Sequence, residues 1–226
     1  DMGKLHTYKY NEDLFKKVVQ LQAGFNAANL IPKFCLEHRD LFEELCGTSK
    51  ISYSASGFLR VVRPRIEKTV RKADDFLGFH REIFYSTSEF IKHQINIHIP
   101  IFNYNDLTSM KYVPGSHLIP DDDFLFEAMN EGDNGIMRGS IEHRNGLAYA
   151  PKKIISGCDL KSAIPFRLKI SEAAIFKSDL IHGGGMNPTN QVRVSVDFAV
   201  IPTDVIPDEE NYQLAAIDGM KYRTLN

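Results

Sequence analysis

Hydrophobic positions near the start of the chain recur with the period of a helix. The residues that share this apolar face are Leu14, Val18, Leu21 and Phe25. They predict a helix over residues 11–29, and the Asn11 side chain is suited to cap its N-terminus. A second helix is predicted over 33–45, because Pro32 precedes it and Gly47 follows its end. Both helices are expected to buttress the outside of a β core and to turn their polar faces to solvent.

After these helices the pattern changes to the alternation of β-strands. Strands are predicted over 51–63, 94–99, 110–113, 167–170, 173–176 and 192–201. In the clearest alternation, one face carries the isoleucines and the other carries the polar row Gln94, Asn96 and His98. In an ordinary sheet such a row faces water, whereas in a small barrel that encloses a ligand it can face the interior.

The stretch from 120 to 153 follows neither pattern. It is charged and punctuated by glycine, and only residues 124–129 are predicted to form a helical turn or two. Long segments without regular structure inside a compact domain are commonly lids or binding loops. The three aspartates at 121–123 lack the spacing of a metal-binding loop, so we expect a solvated acidic turn with an N-capping role. Substrate specificity is expected to lie in this stretch.

The composition is that of an ordinary globular protein. Of 226 residues, 43% are apolar and 25% are charged, and the net charge is −2. Such a chain has no excess of positive charge that would attract nucleic acid, and it has no polybasic segment that would anchor it to a membrane. Its three cysteines are too few and too irregularly spaced for a disulfide framework or a zinc knuckle. Neither a secretory signal nor a membrane-spanning run is present, so we expect a cytoplasmic protein with free thiols.

Two short stretches about a hundred residues apart carry the candidate metal ligands. His80 and Glu82 are separated by one residue, so in an extended chain their side chains point to the same side. His182 ends an apolar run and precedes three glycines, where the backbone can approach another segment closely. Two imidazoles and one carboxylate on one face leave open positions on a metal, as in non-haem Fe(II) oxygenases. The alternative is a surface histidine in a charged stretch.

Arg193 stands eleven residues after His182 in a strongly alternating strand. Ser195 shares its face, and valines occupy the opposite face. A guanidinium is well shaped to bind a carboxylate. In an open sheet this arginine would point to water, but inside a barrel it would need an anion.

The order of these motifs resembles the phytanoyl-CoA dioxygenase-like family of Fe(II)- and 2-oxoglutarate-dependent oxygenases. The motifs are the His-x-Glu triplet, then Pro114-Gly115-Ser116-His117, then the distal histidine and the arginine that follows it. The match runs from about 59 to 202. It implies a mainly β fold, a double-stranded β-helix (jelly-roll, cupin-like) barrel. We expect one domain over 1–226, with a helical buttress at about 11–46, a barrel at about 51–202 and a lid at about 120–153.

The resemblance also implies roles for the candidate residues. His80, Glu82 and His182 correspond to the catalytic iron ligands, and Arg193 and Ser195 to the residues that hold the distal carboxylate of 2-oxoglutarate. The family more often has Asp where Glu82 stands, although related oxygenases use Glu. A carboxylate at this position also argues against halogenase chemistry, in which its loss leaves room for a halide.

These correspondences predict an oxidoreductase that uses Fe(II), 2-oxoglutarate and O2. The expected reaction is hydroxylation of a small polar metabolite (a sugar, an aminoglycoside-like compound or an amino-acid derivative), with release of succinate and CO2. The alternative is a cupin-type isomerase or epimerase of sugar biosynthesis that works without O2. No nucleic-acid or membrane partner is expected, and the protein is expected to be a monomer or a homodimer.

Other candidate binding residues have weaker support. Asn96 is a candidate contact to 2-oxoglutarate, and His98 is a candidate contact to substrate. Arg63 belongs to a basic group with its neighbours, and it either contacts an anionic part of the substrate or lies on the surface. His117 is either a substrate contact or a structural histidine.

Overall fold

The structure is a computed structural model that describes residues 11–55, 57–64, 79–85, 89–128, 152–184, 187–206 and 222–226. The helices are α1 (Glu12–Ala27), α2 (Leu30–Glu37) and α3 (Arg39–Cys46). The strands are β1 (Ile51–Ser54), β2 (Phe58–Val62), β3 (Ile95–Phe102), β4 (Lys111–Tyr112), β5 (Leu125–Ala128), β6 (Lys152–Ser156), β7 (Ile164–Pro165), β8 (Ala174–Lys177), β9 (His182–Gly183), β10 (Arg193–Pro202) and β11 (Tyr222–Thr224). None of the helices in these ranges has the length and apolar character needed to cross a membrane.

The strands form antiparallel sheets. The largest sheet has the order β11-β1-β10-β3-β8, and β2 also pairs with β10. A smaller sheet has the order β7-β4-β9, and β5 and β6 pair with each other. Aromatic side chains connect the two larger sheets, since the Phe176 ring on β8 lies 4.8 Å from the His182 ring on β9. The predicted mainly β, cupin-like fold is confirmed, although the described strands do not close into a barrel.

The helices begin and end largely where the sequence predicts. Asn11 caps α1 by accepting a hydrogen bond from the Leu14 backbone N–H at 3.0 Å. Gly47 ends α3 in the left-handed conformation, with a φ of 68°. The single helix predicted over 33–45 is wrong in one respect, because the chain breaks at His38 into α2 and α3.

The six-stranded sheet turns its apolar face to these helices. Cys35 and Phe42 are both fully buried, and they join one core cluster with Ile97, Val196 and Phe198 of the central strands. This packing confirms that the helices buttress the sheet from outside. It also leaves the opposite face of the central strands, with its polar row, directed away from the helices.

The strand predicted over 51–63 is two strands. Both pair with β10, β1 near its end and β2 near its start. Gly57 lies in the break and packs against the helices, since a Cβ there would lie 2.8 Å from Ile31 Cδ1 and from Phe25 Cε1. The chain therefore interrupts the strand where it passes closely beside α1 and α2.

Other predictions need correction. The turn that starts at Asn103, which has a φ of 49°, leads from β3 in the large sheet to β4 in the smaller sheet. Residues 124–129 were expected to be helical, but Leu125–Ala128 forms a strand paired with β6. No strand covers 167–170. Most of the predicted lid, residues 129–151, lies outside the described residues.

Phe42→Ala tests the helix–sheet core. Because Phe42 has 0% exposure, its truncation leaves a cavity and should lower the free energy of unfolding by about 3–5 kcal/mol. Leu41→Ala is the control on the same helix, since Leu41 is 41% exposed and should cost less than about 1 kcal/mol. Urea unfolding of both variants gives the comparison. Equal losses would contradict the assignment of this face to the core.

Candidate metal centre

A pair of backbone hydrogen bonds brings two distant histidines together. The N–H of His80 donates to the carbonyl of His182 at 2.9 Å, and the N–H of His182 donates to the carbonyl of His80 at 3.0 Å. This antiparallel bridge places the two imidazole rings 4.5 Å apart, and both side chains are buried. The structure therefore juxtaposes two residues that the sequence separates by about a hundred positions.

Glu82 completes the group from a short 3-10 helix (Glu82–Tyr85). The predicted extended chain therefore does not continue past Arg81. The N–H of Glu82 donates to the carbonyl of Ser178 at 2.9 Å, which fixes the start of this turn. The Oε1 atom lies 3.2 Å from His182 Nε2 and 3.6 Å from His80 Nε2. One ligand atom from each of these three side chains lies within 4.8 Å of the others.

The chemistry of this donor set fits a metal ion. His182 Nδ1 lies 2.9 Å from the carbonyl of Leu180, and a proton on Nδ1 leaves Nε2 as the ligand nitrogen. Burial acts to raise the pKa of Glu82, but hydrogen bonds with His182 and His80 lower it overall, so the carboxylate is ionised. The separations are close to the roughly 3 Å between adjacent ligand atoms around an ion with bonds of about 2.1 Å. Small side-chain movements would suffice for coordination.

An aromatic wall borders this centre. The Phe176 ring lies 5.6 Å from the Phe166 ring, which in turn lies 4.3 Å from the ring of Tyr112. Together with the contact between Phe176 and His182, this row gives the centre one apolar side. Such a surface limits the access of water to a metal ligand.

Arg81 lies between the two ligands in sequence and anchors a neighbouring segment. Its side chain is 1% exposed, and Nη2 donates to the carbonyls of Ser116 at 2.6 Å and Ile119 at 2.8 Å. Nη1 pairs with the Asp121 carboxylate, and the guanidinium carbon lies 4.2 Å from the centre of the Phe124 ring. The aspartates at 121–123 do form an acidic turn, but no side chain caps its N-terminus, and Asp121 instead pairs with Arg81. Sequence reasoning missed this role, because nothing near Arg81 in the sequence identifies its partners.

Arg193 and Ser195 form a second buried group on β10. Arg193 is 4% exposed and Ser195 is 0% exposed, and Nη1 of the arginine donates to the serine Oγ at 3.0 Å. The guanidinium carbon lies 5.9 Å from the centre of the Tyr104 ring. Burial raises the pKa of Tyr104 to about 12, so its phenol keeps its proton. A guanidinium beside two hydroxyls offers donors to an anion. Nothing near Tyr104 in the sequence indicates that it lies beside Arg193.

Asn96 belongs to a buried polar network. Its side-chain oxygen accepts a hydrogen bond from Gln94 at 2.5 Å, and its nitrogen donates to Ser178 Oγ at 3.3 Å. The Ser178 hydroxyl donates to the Gln94 carbonyl at 3.1 Å, and Tyr222 bonds to the Gln94 side chain. The network occupies much of the Asn96 amide, and contact of Asn96 with a cosubstrate stays a prediction.

His98 lies on the same face of β3 as Asn96 and faces Asp197 of β10. The His98 Nδ1 atom lies 2.6 Å from Asp197 Oδ1, and the other carboxylate oxygen accepts a hydrogen bond from Arg60 Nε at 3.1 Å. His98 is 1% exposed. The sequence places Asp197 on the face of Arg193 but does not indicate that it pairs with His98.

The remaining candidates lie in two other places. Arg63 is 7% exposed and follows the end of β2. His117 is exposed on a 3-10 turn (Ser116–Leu118) that follows Gly115, whose φ is 76°. A substrate-binding role for either residue stays a prediction. Arg65, the third arginine of the basic group, lies outside the described residues.

Comparisons with known proteins identify similar folds. No protein-family model matches the chain, and no curated protein matches it in sequence. EvdO2 from Micromonospora carbonacea var. aurantiaca, solved in complex with 2-oxoglutarate, is 14% identical, with a TM-score of 0.51. The non-heme monooxygenase ThoJ is 16% identical, with a TM-score of 0.47. The non-heme alpha-ketoglutarate-dependent epimerase SnoN from nogalamycin biosynthesis is 18% identical, with a TM-score of 0.45.

The matches cover most of this chain but less of the other proteins. They cover 77% of this chain and 64% of EvdO2, 72% and 51% for ThoJ, and 76% and 55% for SnoN. The chain thus spans less than two thirds of the length of each of these proteins. At such identities, the likeness to EvdO2 shows a shared fold.

Arg81→Met tests the anchor beside the metal ligands. The change removes the three hydrogen bonds of a buried guanidinium, two of them to backbone carbonyls, and should lower the free energy of unfolding by about 3 kcal/mol. Asp121→Asn is the matched control, because the Asp121 side chain is 42% exposed and its loss should cost less than about 1 kcal/mol. Denaturant unfolding measures both. If the two variants lost equal stability, the hydrogen bonds of Arg81 to the two backbone carbonyls would add nothing to stability beyond its ion pair with Asp121.

Proposed function

We propose that this chain is an Fe(II)- and 2-oxoglutarate-dependent oxygenase. The observation that carries the proposal is the group of two buried histidines, His80 and His182, and the partly buried Glu82, whose ligand atoms lie within 4.8 Å of one another. Two histidines and one carboxylate on one face suit Fe(II) with open coordination positions. The shared fold with EvdO2, which was solved with 2-oxoglutarate bound, supports the choice of cosubstrate.

The roles of the residues follow from their positions. His80, Glu82 and His182 hold the iron, and the Leu180 carbonyl keeps the His182 ring in the orientation that presents Nε2. Arg193 and Ser195 bind the distal carboxylate of 2-oxoglutarate. When bound, the iron supplies the activation of O2 that oxidises the substrate and decarboxylates 2-oxoglutarate to succinate and CO2. The aromatic wall excludes water from the reacting side of the site.

We also propose a class of substrate and a family for this chain. The substrate is a small polar metabolite, such as a sugar, an aminoglycoside-like compound or an amino-acid derivative, and hydroxylation is the default outcome. The order of the motifs supports membership of the phytanoyl-CoA dioxygenase-like family and a single domain over 1–226. A cupin-type isomerase would work without O2 and would not need Arg193 and Ser195 at their spacing from His182.

His182→Ala should abolish metal binding. Removing a ligand should weaken Fe(II) affinity by more than about 100-fold, since changes in the second shell alone cost about 10–100-fold. Anaerobic titration with Fe(II) and 2-oxoglutarate measures the loss as disappearance of the visible charge-transfer band of the chelate. His93→Ala is the control, because His93 is exposed and should leave the band intact. A band of wild-type strength in His182→Ala would remove the iron assignment.

Arg193→Ala should weaken 2-oxoglutarate binding while sparing the metal. Loss of charge-assisted hydrogen bonds to a carboxylate should raise the Kd for 2-oxoglutarate by about 100-fold. Arg167→Ala provides the comparison, since the Arg167 side chain is 75% exposed. The same anaerobic titration, with 2-oxoglutarate as the varied component, gives both constants. Unchanged cosubstrate affinity in Arg193→Ala would count against the carboxylate site.

A further inference from the structure

One buried nitrogen near Arg193 and Tyr104 has no assigned role. His98 uses Nδ1 to contact Asp197 at 2.6 Å, and the whole residue is 1% exposed. Its Nε2 atom is buried and has no hydrogen-bond partner among the residues that the structure describes. A buried polar atom of this kind is costly unless something binds to it. A histidine with a purely structural role would be expected to satisfy both nitrogens.

The position of His98 relates this nitrogen to the cosubstrate site. His98 pairs with Asp197 in the register of β3 and β10, and Asp197 shares its face with Arg193 and Ser195. The His98 ring lies 5.4 Å from the Tyr104 ring, which itself lies beside the Arg193 guanidinium. His98 therefore belongs to the same wall of the pocket as the anion-binding pair.

The same wall continues toward the metal centre. Two residues before His98, Asn96 pairs with Phe176 of β8, and the Phe176 ring lies 4.8 Å from the ring of His182. A short dicarboxylate that reaches from the metal ligands to Arg193 would run along this wall. Its distal end would then lie near the open nitrogen of His98.

The charges around His98 favour a neutral ring in the absence of ligand. Burial lowers the pKa of His98, the Asp197 carboxylate opposes this effect, and the positive charge of Arg193 adds to the lowering. Burial acts to raise the pKa of Asp197, but His98 and Arg60 lower it overall, so Asp197 is ionised. The proton of the neutral ring therefore lies on Nδ1, and Nε2 presents a lone pair.

We propose that His98 is a third donor to the distal carboxylate of 2-oxoglutarate, and that its Nε2 takes up a proton from solvent when this anion binds. The inference rests on the proposed function. A carboxylate beside the Nε2 lone pair is repelled until a proton lies between them. The bound anion also offsets the positive charge of Arg193, which otherwise disfavours a second charge on His98. The other charged or titratable groups that face His98 are Asp197, Arg60, His182 and Tyr104.

The proposal predicts that cosubstrate binding and proton uptake are linked. Binding of 2-oxoglutarate should take up about one proton, which comes from the buffer. A 2-oxo acid with the same carbon chain but no distal carboxylate should bind without this uptake. The linkage would therefore help the site to select a dicarboxylate over a monocarboxylate.

Calorimetry on the Mn(II)-loaded protein tests the linkage without turnover. Titration with 2-oxoglutarate near neutral pH, in two buffers of different ionisation enthalpy, gives the number of protons taken up. For His98→Gln, which keeps a donor but cannot titrate, we expect no proton uptake and binding weakened by about 10-fold or more. His93→Gln is the matched control at an exposed position and should behave like wild type. Mn(II) affinity should be unchanged in both variants.

The outcomes separate this inference from the proposed function. If wild type binds 2-oxoglutarate without proton uptake, or takes up as many protons with the monocarboxylate, the role of His98 is wrong and the oxygenase proposal stands. If metal-loaded wild type does not bind 2-oxoglutarate at all, the proposed function fails and the inference fails with it. The wild-type comparison of buffers needs no variant, so it decides the question even if His98→Gln does not fold.

Discussion

The two backbone hydrogen bonds between His80 and His182 are the constraint on which the site depends. They set the separation of the imidazole rings, and the same short segment makes further main-chain bonds on either side. The N–H of Glu82 bonds to the Ser178 carbonyl, and the N–H of Val113 bonds to the Ile181 carbonyl at 2.9 Å. Because main-chain atoms make these bonds, the ligand positions are set by strand geometry and not by the packing of individual side chains.

One face of the large sheet packs against the helices, and the other face carries buried polar side chains. Residues such as Ile97 and Phe198 pack under the helices, while Asn96, His98 and Arg193 lie buried on the other face. Buried polar groups need partners, and here several of the partners are side chains on the same face of the sheet, as in the pairs of His98 with Asp197 and of Arg193 with Ser195. One exception among the described residues is His98 Nε2, which is buried and has no hydrogen-bond partner there. Pairing within this face thus fixes the orientation of the side chains to which we assign binding roles.

The sequence predicted much of this arrangement because period-2 alternation is a strong signal. The polar row on β3, the valine row on β10 and the cap at Asn11 all follow from local patterns. The break at His38 and the short strand at Leu125–Ala128 could not be predicted, because tertiary packing and strand pairing decide them.

The side-chain partners in the site could not be predicted either. Arg81 contacts residues 35 or more positions away, and Asp197 lies 99 positions from His98. A single sequence carries no signal for such pairs. The spacing of His80 and Glu82 predicted that they share a side, yet the 3-10 turn that brings Glu82 inward is visible only in the structure.

The order of the large sheet also constrains how the protein can be made. β1 has two neighbours, β10 and β11, and the first strand after the helices therefore pairs only with segments that begin at Arg193 and Tyr222. During synthesis, β1 lacks both of its partner strands until the segments of β10 and β11 have left the ribosome. Pairings between such distant segments make folding slow and leave apolar strands exposed meanwhile. This sheet order thus makes the nascent chain dependent on protection from aggregation until β10 and β11 have emerged.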